Sequence, residues 1–253
     1  MTITFLGTGH SQGIPVIACK CHVCLSDDTR DKRLRTSVHI AHDDTSIVID
    51  TGPDFRQQML RENITRVDSI LFTHQHKDHI AGLDDVRSFN FAQKQPMPLF
   101  GNKDTLEQIK KDFYYAFSDE KYPGVPQLKL VEIPDGNFII RDLSISPIEV
   151  MHYNLPVLGF RFDDFTYITD ANFISPEQRK KLYNSKVLVL NALFRDEHYS
   201  HFNLDQAIKL VEEVKPGKAY FTHISHKMGL YKEVSKELPE NIELAYDGLK
   251  IEV

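Results

Sequence analysis

The segment Thr73-His74-Gln75-His76-Lys77-Asp78-His79 constrains this chain more than any other stretch. Three imidazoles and one carboxylate fall within six positions, directly after the apolar run Ser69-Ile70-Leu71-Phe72. Neutral imidazole and carboxylate are the usual protein ligands of zinc, manganese and iron. Four such groups at one strand end exceed the needs of a single catalytic ion, which keeps a position open for water or substrate. The surplus points to two metals. Whatever fold forms must deliver a loop at a strand end into a concavity, and other parts of the chain must reach the same place.

Three further strand ends offer partners. His152 follows the run Ile145–Met151, Asp170 follows Phe165–Thr169, and His223 follows Ala219–Thr222. A lone polar residue after a strand is ordinary turn chemistry. The repetition of the pattern is what marks these three.

The coarse pattern is of short strands mixed with helices. Strand signals lie at Thr2–Leu6, Ser37–Ala41, Ser46–Asp50, Ser69–Thr73, Leu128–Ile133, Ser144–Met151, Val157–Phe162, Thr166–Thr169, Lys186–Leu190 and Lys218–Thr222. Helix signals lie at Asp54–Glu62, Leu83–Phe91, Asp104–Phe117, Ser175–Leu182, Leu204–Val214 and Leu230–Leu238, with Asn203 as the cap of the fifth. Between Phe91 and Leu128 the prolines 96, 98, 123 and 126 predict loops around one helix. This is an α+β pattern of mixed sheets covered by helices. The 253 residues fit one domain, 1–253, with no linker composition dividing them.

Two other motifs invite function. Gly7-Thr8-Gly9 with Gly13 lacks the spacing of a dinucleotide fingerprint and the Gly-Lys-Ser/Thr end of a P-loop, so it reads as a glycine-rich loop leaving the first strand, with the lining of a site left open to it. Cys19-Lys20-Cys21-His22-Val23-Cys24 gathers all three cysteines of the chain. Three thiols cannot close a disulfide framework, and they lack a fourth ligand for a closed zinc site. His226, three residues beyond His223, is a candidate partner. No basic-then-apolar leader opens the chain and no apolar run is long enough to span a membrane, so a reducing, cytoplasmic setting is expected.

Charge narrows the partners. Thirty basic against 36 acidic residues give a net charge of −6, which disfavours a protein held mainly by a nucleic-acid backbone. A small anionic substrate is still compatible, because a metal supplies local positive charge. Arg30, Lys32, Arg33 and Arg35 form one basic run, read as solvated surface or as a contact to a second substrate phosphate.

The pattern His74-x-His76-x-Asp78-His79 with His152, Asp170 and His223 resembles the dinuclear metallo-β-lactamase fold hydrolases, across essentially the whole chain. The resemblance implies an αββα sandwich, two mixed β-sheets face to face with outer helices. It assigns His74, His76 and His152 to one metal, and Asp78, His79 and His223 to the other, with Asp170 bridging. The implied metals are manganese or zinc, with iron an alternative, and the implied chemistry is attack by a metal-bridging hydroxide. Asp78 is also implied to orient that hydroxide.

The cysteine cluster after a Gly-Thr-Gly loop, with the later Thr222-His223-Ile224-Ser225-His226, is similar to the phosphoribosyl 1,2-cyclic phosphate phosphodiesterases linked to carbon–phosphorus lyase. Gly82-Leu83-Asp84-Asp85-Val86-Arg87 and Glu243-Leu244-Ala245-Tyr246-Asp247-Gly248 match the same branch. That resemblance implies a structural zinc on Cys19, Cys21, Cys24 and His226. It further implies that His201, in His198-Tyr199-Ser200-His201, protonates the leaving oxygen with a pKa near neutral, His198 being the weaker choice. The expected activity is hydrolysis of a small cyclic phosphate or nucleotide-like phosphodiester, with a homodimer compatible. The alternatives are a tRNA 3′-end endonuclease, whose basic arm has no counterpart here, and a non-enzymatic carrier of the same fold.

Overall fold

The computed structural model describes residues 1–120 and 122–253. In chain order the strands are β1 (Thr2–Gly7), β2 (Ser37–His42), β3 (Thr45–Ile49), β4 (Ser69–Leu71), β5 (Met97–Gly101), β6 (Leu128–Glu132), β7 (Phe138–Ile140), β8 (Leu143–His152), β9 (Leu155–Phe162), β10 (Phe165–Tyr167), β11 (Val187–Asn191), β12 (Lys218–Thr222), β13 (Ile242–Leu244) and β14 (Lys250–Glu252). They form two seven-stranded sheets, ordered β14-β1-β2-β3-β4-β5-β6 and β13-β12-β11-β10-β9-β8-β7.

The sheets repeat one plan. In the first, β14, β1, β2 and β3 pair antiparallel, and β3 to β6 pair parallel. In the second, β7 to β10 pair antiparallel, and β10 to β13 pair parallel. The C-terminal strand β14 thus completes the N-terminal sheet, and Met1 N donates to Val253 O at 3.1 Å. The sheets are mixed, as the sequence pattern predicts, and face one another, as the family resemblance implies.

Side-chain alternation builds three apolar layers. Ile47 and Ile49 of β3 point between the sheets, where they join Phe160, Phe162, Phe165 and Tyr167, while Val48 points outward under the helices. Val187 and Val189 of β11 face the same inner layer, and Leu188 and Leu190 face the helix Leu204–Val214. Each fully buried side chain of this kind contributes about 1.5–3 kcal/mol relative to exposure. The helix Leu204–Val214 starts on a capping box between Asn203 and Gln206 and buries Leu204, Ala207, Leu210, Val211 and Val214. Asn203 is therefore the cap, as predicted.

The stretch between Phe91 and Leu128 departs from expectation. It contains a strand, β5, between β4 and β6. Pro98 masks it in the sequence. Met97 N donates to Gln127 O on the β6 side, and the ladder with β4 begins only at Leu99, so the missing N–H of Pro98 falls where no pairing is interrupted. The predicted helix 104–117 is two pieces, Lys103–Asp112 and Tyr114–Phe117. The predicted helix 230–238 is reduced to Tyr231–Val234 followed by turns. The metal-type motif is not wholly loop, since Lys77–Ile80 form one helical turn entered through His76.

Candidate metal centre and its surroundings

The polar residues converge from strand ends at one edge of the sandwich. Asp50, Asp170 and His223 leave β3, β10 and β12 with φ of 64°, 53° and 56°. The left-handed conformation turns the chain sharply at each strand end, at an energetic cost that recurs at functional sites. His152 ends β8, and His74 to His79 follow β4.

Three donor groups result. Donor atoms of His74, His76 and His152 lie within 4.8 Å of one another, as do those of Asp78, His79, Asp170 and His223, and those of His152, Asp170 and His201. The structure thus brings together every residue that the sequence proposed for the dinuclear site, with His201 at its edge. Asp170 belongs to two of these groups, as does His152. His201 stacks on His152 with ring centroids 4.6 Å apart, and its Nδ1 is 3.8 Å from Asp170 Oδ1.

Surrounding groups fix these rings. His79 Nδ1 is 2.7 Å from Asp50 Oδ2, which also accepts from Thr73 Oγ1 at 2.8 Å, while Asp50 Oδ1 accepts from Thr73 N at 2.9 Å. With Nδ1 engaged by Asp50, His79 Nε2 points at Asp78 Oδ2 and Asp170 Oδ2, 3.2 Å from each. His152 Nδ1 donates to Ser200 O at 2.8 Å and leaves Nε2 for the cluster. The carboxylate–histidine arrangement is the usual support of a metal-bound imidazole.

The donor set fits divalent cations. Nε2 of His79 and Nδ1 of His201 and His223 are buried without hydrogen-bond partners. Buried polar atoms left in this way are costly unless another group satisfies them. Burial lowers His74, His76 and His223, keeping them in the neutral form that binds metal. Burial opposes ionisation of Asp170 and Asp78, yet the facing histidines, His223 and His79 first among them, hold both below the usual carboxylate range. Burial would also lower His79, but Asp78, Asp170 and Asp50 outweigh it and raise His79 well above its ordinary value. Concentrated negative charge of this kind calls for a cation.

His201 corrects one expectation. Burial, and next the neighbouring His223, lower its pKa to about 3 rather than leaving it near neutral. Its imidazole is therefore neutral at pH 7 in the free protein. His198, half-buried, is in none of the three donor groups, and its Nδ1 is 3.2 Å from Ser200 Oγ.

The cysteine cluster forms a second centre. His226 Nδ1 is 3.4, 3.3 and 3.6 Å from Sγ of Cys19, Cys21 and Cys24. Backbone N–H groups of Val16 and Cys24 point at the sulfurs of Cys24 and Cys21, each at 3.4 Å. The Cys24 N–H, then His226, bring Cys21 down to about 6, whereas burial takes Cys24 up to about 11. Three sulfurs and one nitrogen fit a closed tetrahedral zinc site. His22 is not part of this group.

The glycine-rich loop lines the cleft beside the cluster through His10, Ser11 and Gln12, and the basic run is engaged within the fold. Gly9 bridges to both Arg35 and Ile224, and a Cβ on Gly7 would lie 1.9 Å from Arg35 O. The loop is glycine-rich because backbones meet there. In the basic run, Arg30 pairs with Asp28 at 2.7 Å and Arg35 with Asp54 at 3.1 Å. Lys32 Nζ donates to Cys24 O at 3.0 Å, and the buried Arg33 donates to Thr8 Oγ1 at 2.7 Å.

The sequence singles out neither Asp50, Gly52 nor His10 for the site, and it marks Gly82 only within the Gly82-to-Arg87 match. Asp50 carries the same strand-end signature as His152 and Asp170. A Cβ on Gly52 would lie 2.2 Å from Asp78 O, and one on Gly82 would lie 2.1 Å from Gly52 O. His10 is buried, with a ring near-parallel to that of His226 at 6.4 Å, and had no pattern to mark it.

A beta-lactamase superfamily domain matches residues 45–224, and the chain belongs to that superfamily. Within it the chain falls in the PhnP family: the crystal structure of a diphosphatase from that family superposes with a TM-score of 0.94 at 38% identity, covering 100% of this chain and 97% of the other. An octanoyltransferase of Porphyromonas gingivalis is 38% identical over 99% of this chain and 51% of its own length. A ribonuclease Z of Staphylococcus epidermidis is 25% identical over 64% of this chain and 49% of its own. The chain spans about half the length of these curated relatives.

Proposed function

We propose that the chain is a metal-dependent hydrolase of small phosphodiesters, cyclic phosphates included. The observation that carries this reading is the convergence of His74, His76, His152, Asp78, His79, His223 and Asp170 on one edge, beside a cleft of about 370 Å³. The likeness to a diphosphatase of the PhnP family supports a phosphorus-centred substrate. In this reading His74, His76 and His152 hold one divalent cation, Asp78, His79 and His223 hold the second, and Asp170 stands between. Manganese, zinc and iron all suit such ligands. Cys19, Cys21, Cys24 and His226 hold a structural zinc.

Cations held by these residues would supply a water acidified toward neutral pH and positive charge for the phosphoryl oxygens. The chain's own groups do the rest. Asp50 and Ser200 O fix the orientation of His79 and His152. Asp78 accepts a hydrogen bond from the attacking water and so aims it. His201 faces the leaving oxygen as a neutral imidazole that donates a hydrogen bond. It delivers a full proton only once the negative charge of the bound phosphoryl group raises its pKa.

A tRNA-cleaving activity is the competing reading, favoured by the ribonuclease Z relative. The basic run that would meet a long polyanion is instead engaged within the fold. The test is a screen of protein reconstituted with manganese or zinc against cyclic phosphates, linear phosphodiesters and pre-tRNA, with Asp170→Ala as control. Turnover of small esters that Asp170→Ala abolishes, with the fold retained by circular dichroism, supports the reading. Turnover of pre-tRNA alone would replace it, and the absence of all turnover in metal-loaded protein would leave a non-enzymatic carrier.

A further inference from the structure

We propose that the outer wall of the cleft is a nucleobase platform, so that the preferred ester carries a nucleoside and its base stacks on Tyr199. This rests on the phosphodiesterase reading and adds the substrate class.

A column of rings runs from the metal-type cluster to the surface. His152 and His201 lie 4.6 Å apart at 26°, His201 and His198 lie 5.3 Å apart at 13°, and His198 and Tyr199 lie 4.5 Å apart at 30°. Tyr153 meets Tyr199 edge-on at 5.6 Å and 87°. Tyr199 is 71% exposed and Tyr153 58% exposed. Free tyrosines at a surface adopt many rotamers, but these two belong to loops held together by one amide. Tyr153 N donates to Asn172 Oδ1 at 2.8 Å, and Asn172 Nδ2 donates to Tyr199 O at 3.1 Å. Tyr153 also takes a left-handed backbone, φ 57°, immediately after the cluster residue His152. Strain and an anchoring side chain at the mouth of a site mark a built surface.

The facing wall has the complementary polarity. Ser11 and Gln12 line the same cleft as His198 and Tyr199, and both are exposed. A glutamine amide offers the donor and acceptor that read base edges, while an aromatic face takes any base. Lys227 also lines the cleft and makes no ion pair among the described residues. It stands as a cation beside the phosphate of a nucleotide in a chain of net charge −6.

The chain contains no tryptophan, so the Tyr199→Trp variant places a sole indole on the platform. Titration of the metal-loaded variant with AMP is expected to quench the indole emission, and ribose 5-phosphate is expected to leave it unchanged. In parallel, Tyr199→Ala should raise KM for a nucleoside 2′,3′-cyclic phosphate about 10-fold and leave KM for a base-free ribose cyclic phosphate unaltered. The kcat should stay within about two-fold, and Tyr199→Phe should restore KM. Equal quenching by both ligands, no quenching by either, or equal KM changes for both esters would overturn the platform. AMP-selective quenching without hydrolysis of any ester would keep the platform and remove the hydrolase reading. Hydrolysis without AMP-selective quenching would do the reverse.

Discussion

Asp50 Oδ2 lies 2.7 Å from Nδ1 of His79, and both side chains are wholly shielded from solvent. Three donors converge on this one carboxylate, namely His79 Nδ1, Thr73 N and Thr73 Oγ1. Burial raises the Asp50 pKa against the pull of His79, so ionising this carboxylate carries a desolvation cost that the three donors offset. Its function in the site is to hold the His79 ring with Nε2 toward Asp78 and Asp170.

Asp50→Asn keeps the shape but replaces one acceptor oxygen with an amide donor. With the amide nitrogen in place of Oδ2, His79 Nδ1 and Thr73 Oγ1 face N–H instead of an acceptor, and the His79 ring loses its fixed tautomer. Metal affinity at the cluster should fall about 10–100-fold with the fold retained. Metal titration by calorimetry, with circular dichroism as control, reads this directly. Unchanged affinity would show that His79 is oriented by packing alone.

Much of this was legible from strand ends. Runs such as Ile47-Val48-Ile49 and Phe165-Thr166-Tyr167 announce buried strands, and the polar residue after each announces the edge where they converge. What stayed hidden lacks a local signal. β7, β13 and β14 are only three residues long, and β14 gains its place by pairing with β1 at the other end of the chain. The neutral state of His201 depends on burial among other histidines, which no spacing encodes. Asp50 follows a strand as Asp170 does, but it stands apart from the clustered motif, and a lone carboxylate after a strand is ordinary turn chemistry.

Gly52→Ala tests how tightly the motif is seated. The added Cβ would lie 2.2 Å from the carbonyl oxygen of Asp78, which is backbone and cannot rotate away. Thr51 N donates to His79 O at 2.7 Å and Gly82 N to Thr51 O at 2.8 Å, so the clash bears on a bonded unit. The substitution should destabilise the protein by about 1–3 kcal/mol and reduce metal content together. Chemical denaturation and elemental analysis measure the two effects. Full metal content with unaltered stability would mean that the loop has room that the close approach denies.

His39 gives a pH dependence far from the metal-type cluster. Ser46 Oγ donates to Arg66 O at 2.7 Å and lies 2.8 Å from His39 Nε2, so that nitrogen donates to Ser46. Burial, and then Lys250, lower its pKa to about 4, with Glu62 opposing. The unfolded chain, titrating near 6.5, binds more protons than the folded one between about pH 4 and 6.5. Stability therefore rises with pH across that window and is lost as pH falls, by at most about 1.4 kcal/mol per pH unit from this group. His39→Gln should flatten that slope in denaturation curves taken from pH 4 to 7. An unchanged slope would place the proton linkage elsewhere.

The cysteine centre should stabilise the fold and the catalytic edge together, because they share a short segment. His226 lies three residues past His223, and between them Ile224 N donates to Thr8 O at 2.8 Å while His10 N donates to Ile224 O at 3.1 Å. A zinc held by Cys19, Cys21, Cys24 and His226 would thus pin the loop after β1 to the loop carrying His223. Cys24→Ser removes the most buried of the three sulfurs. Protein purified without chelator should then lose about one of about three metal equivalents, and its Tm should drop by about 5–10 °C. Retention of every equivalent, or an unaltered Tm, would remove the structural zinc. If that equivalent is lost and turnover of a small phosphodiester falls as well, the coupling runs through the Thr8–Ile224 pairing.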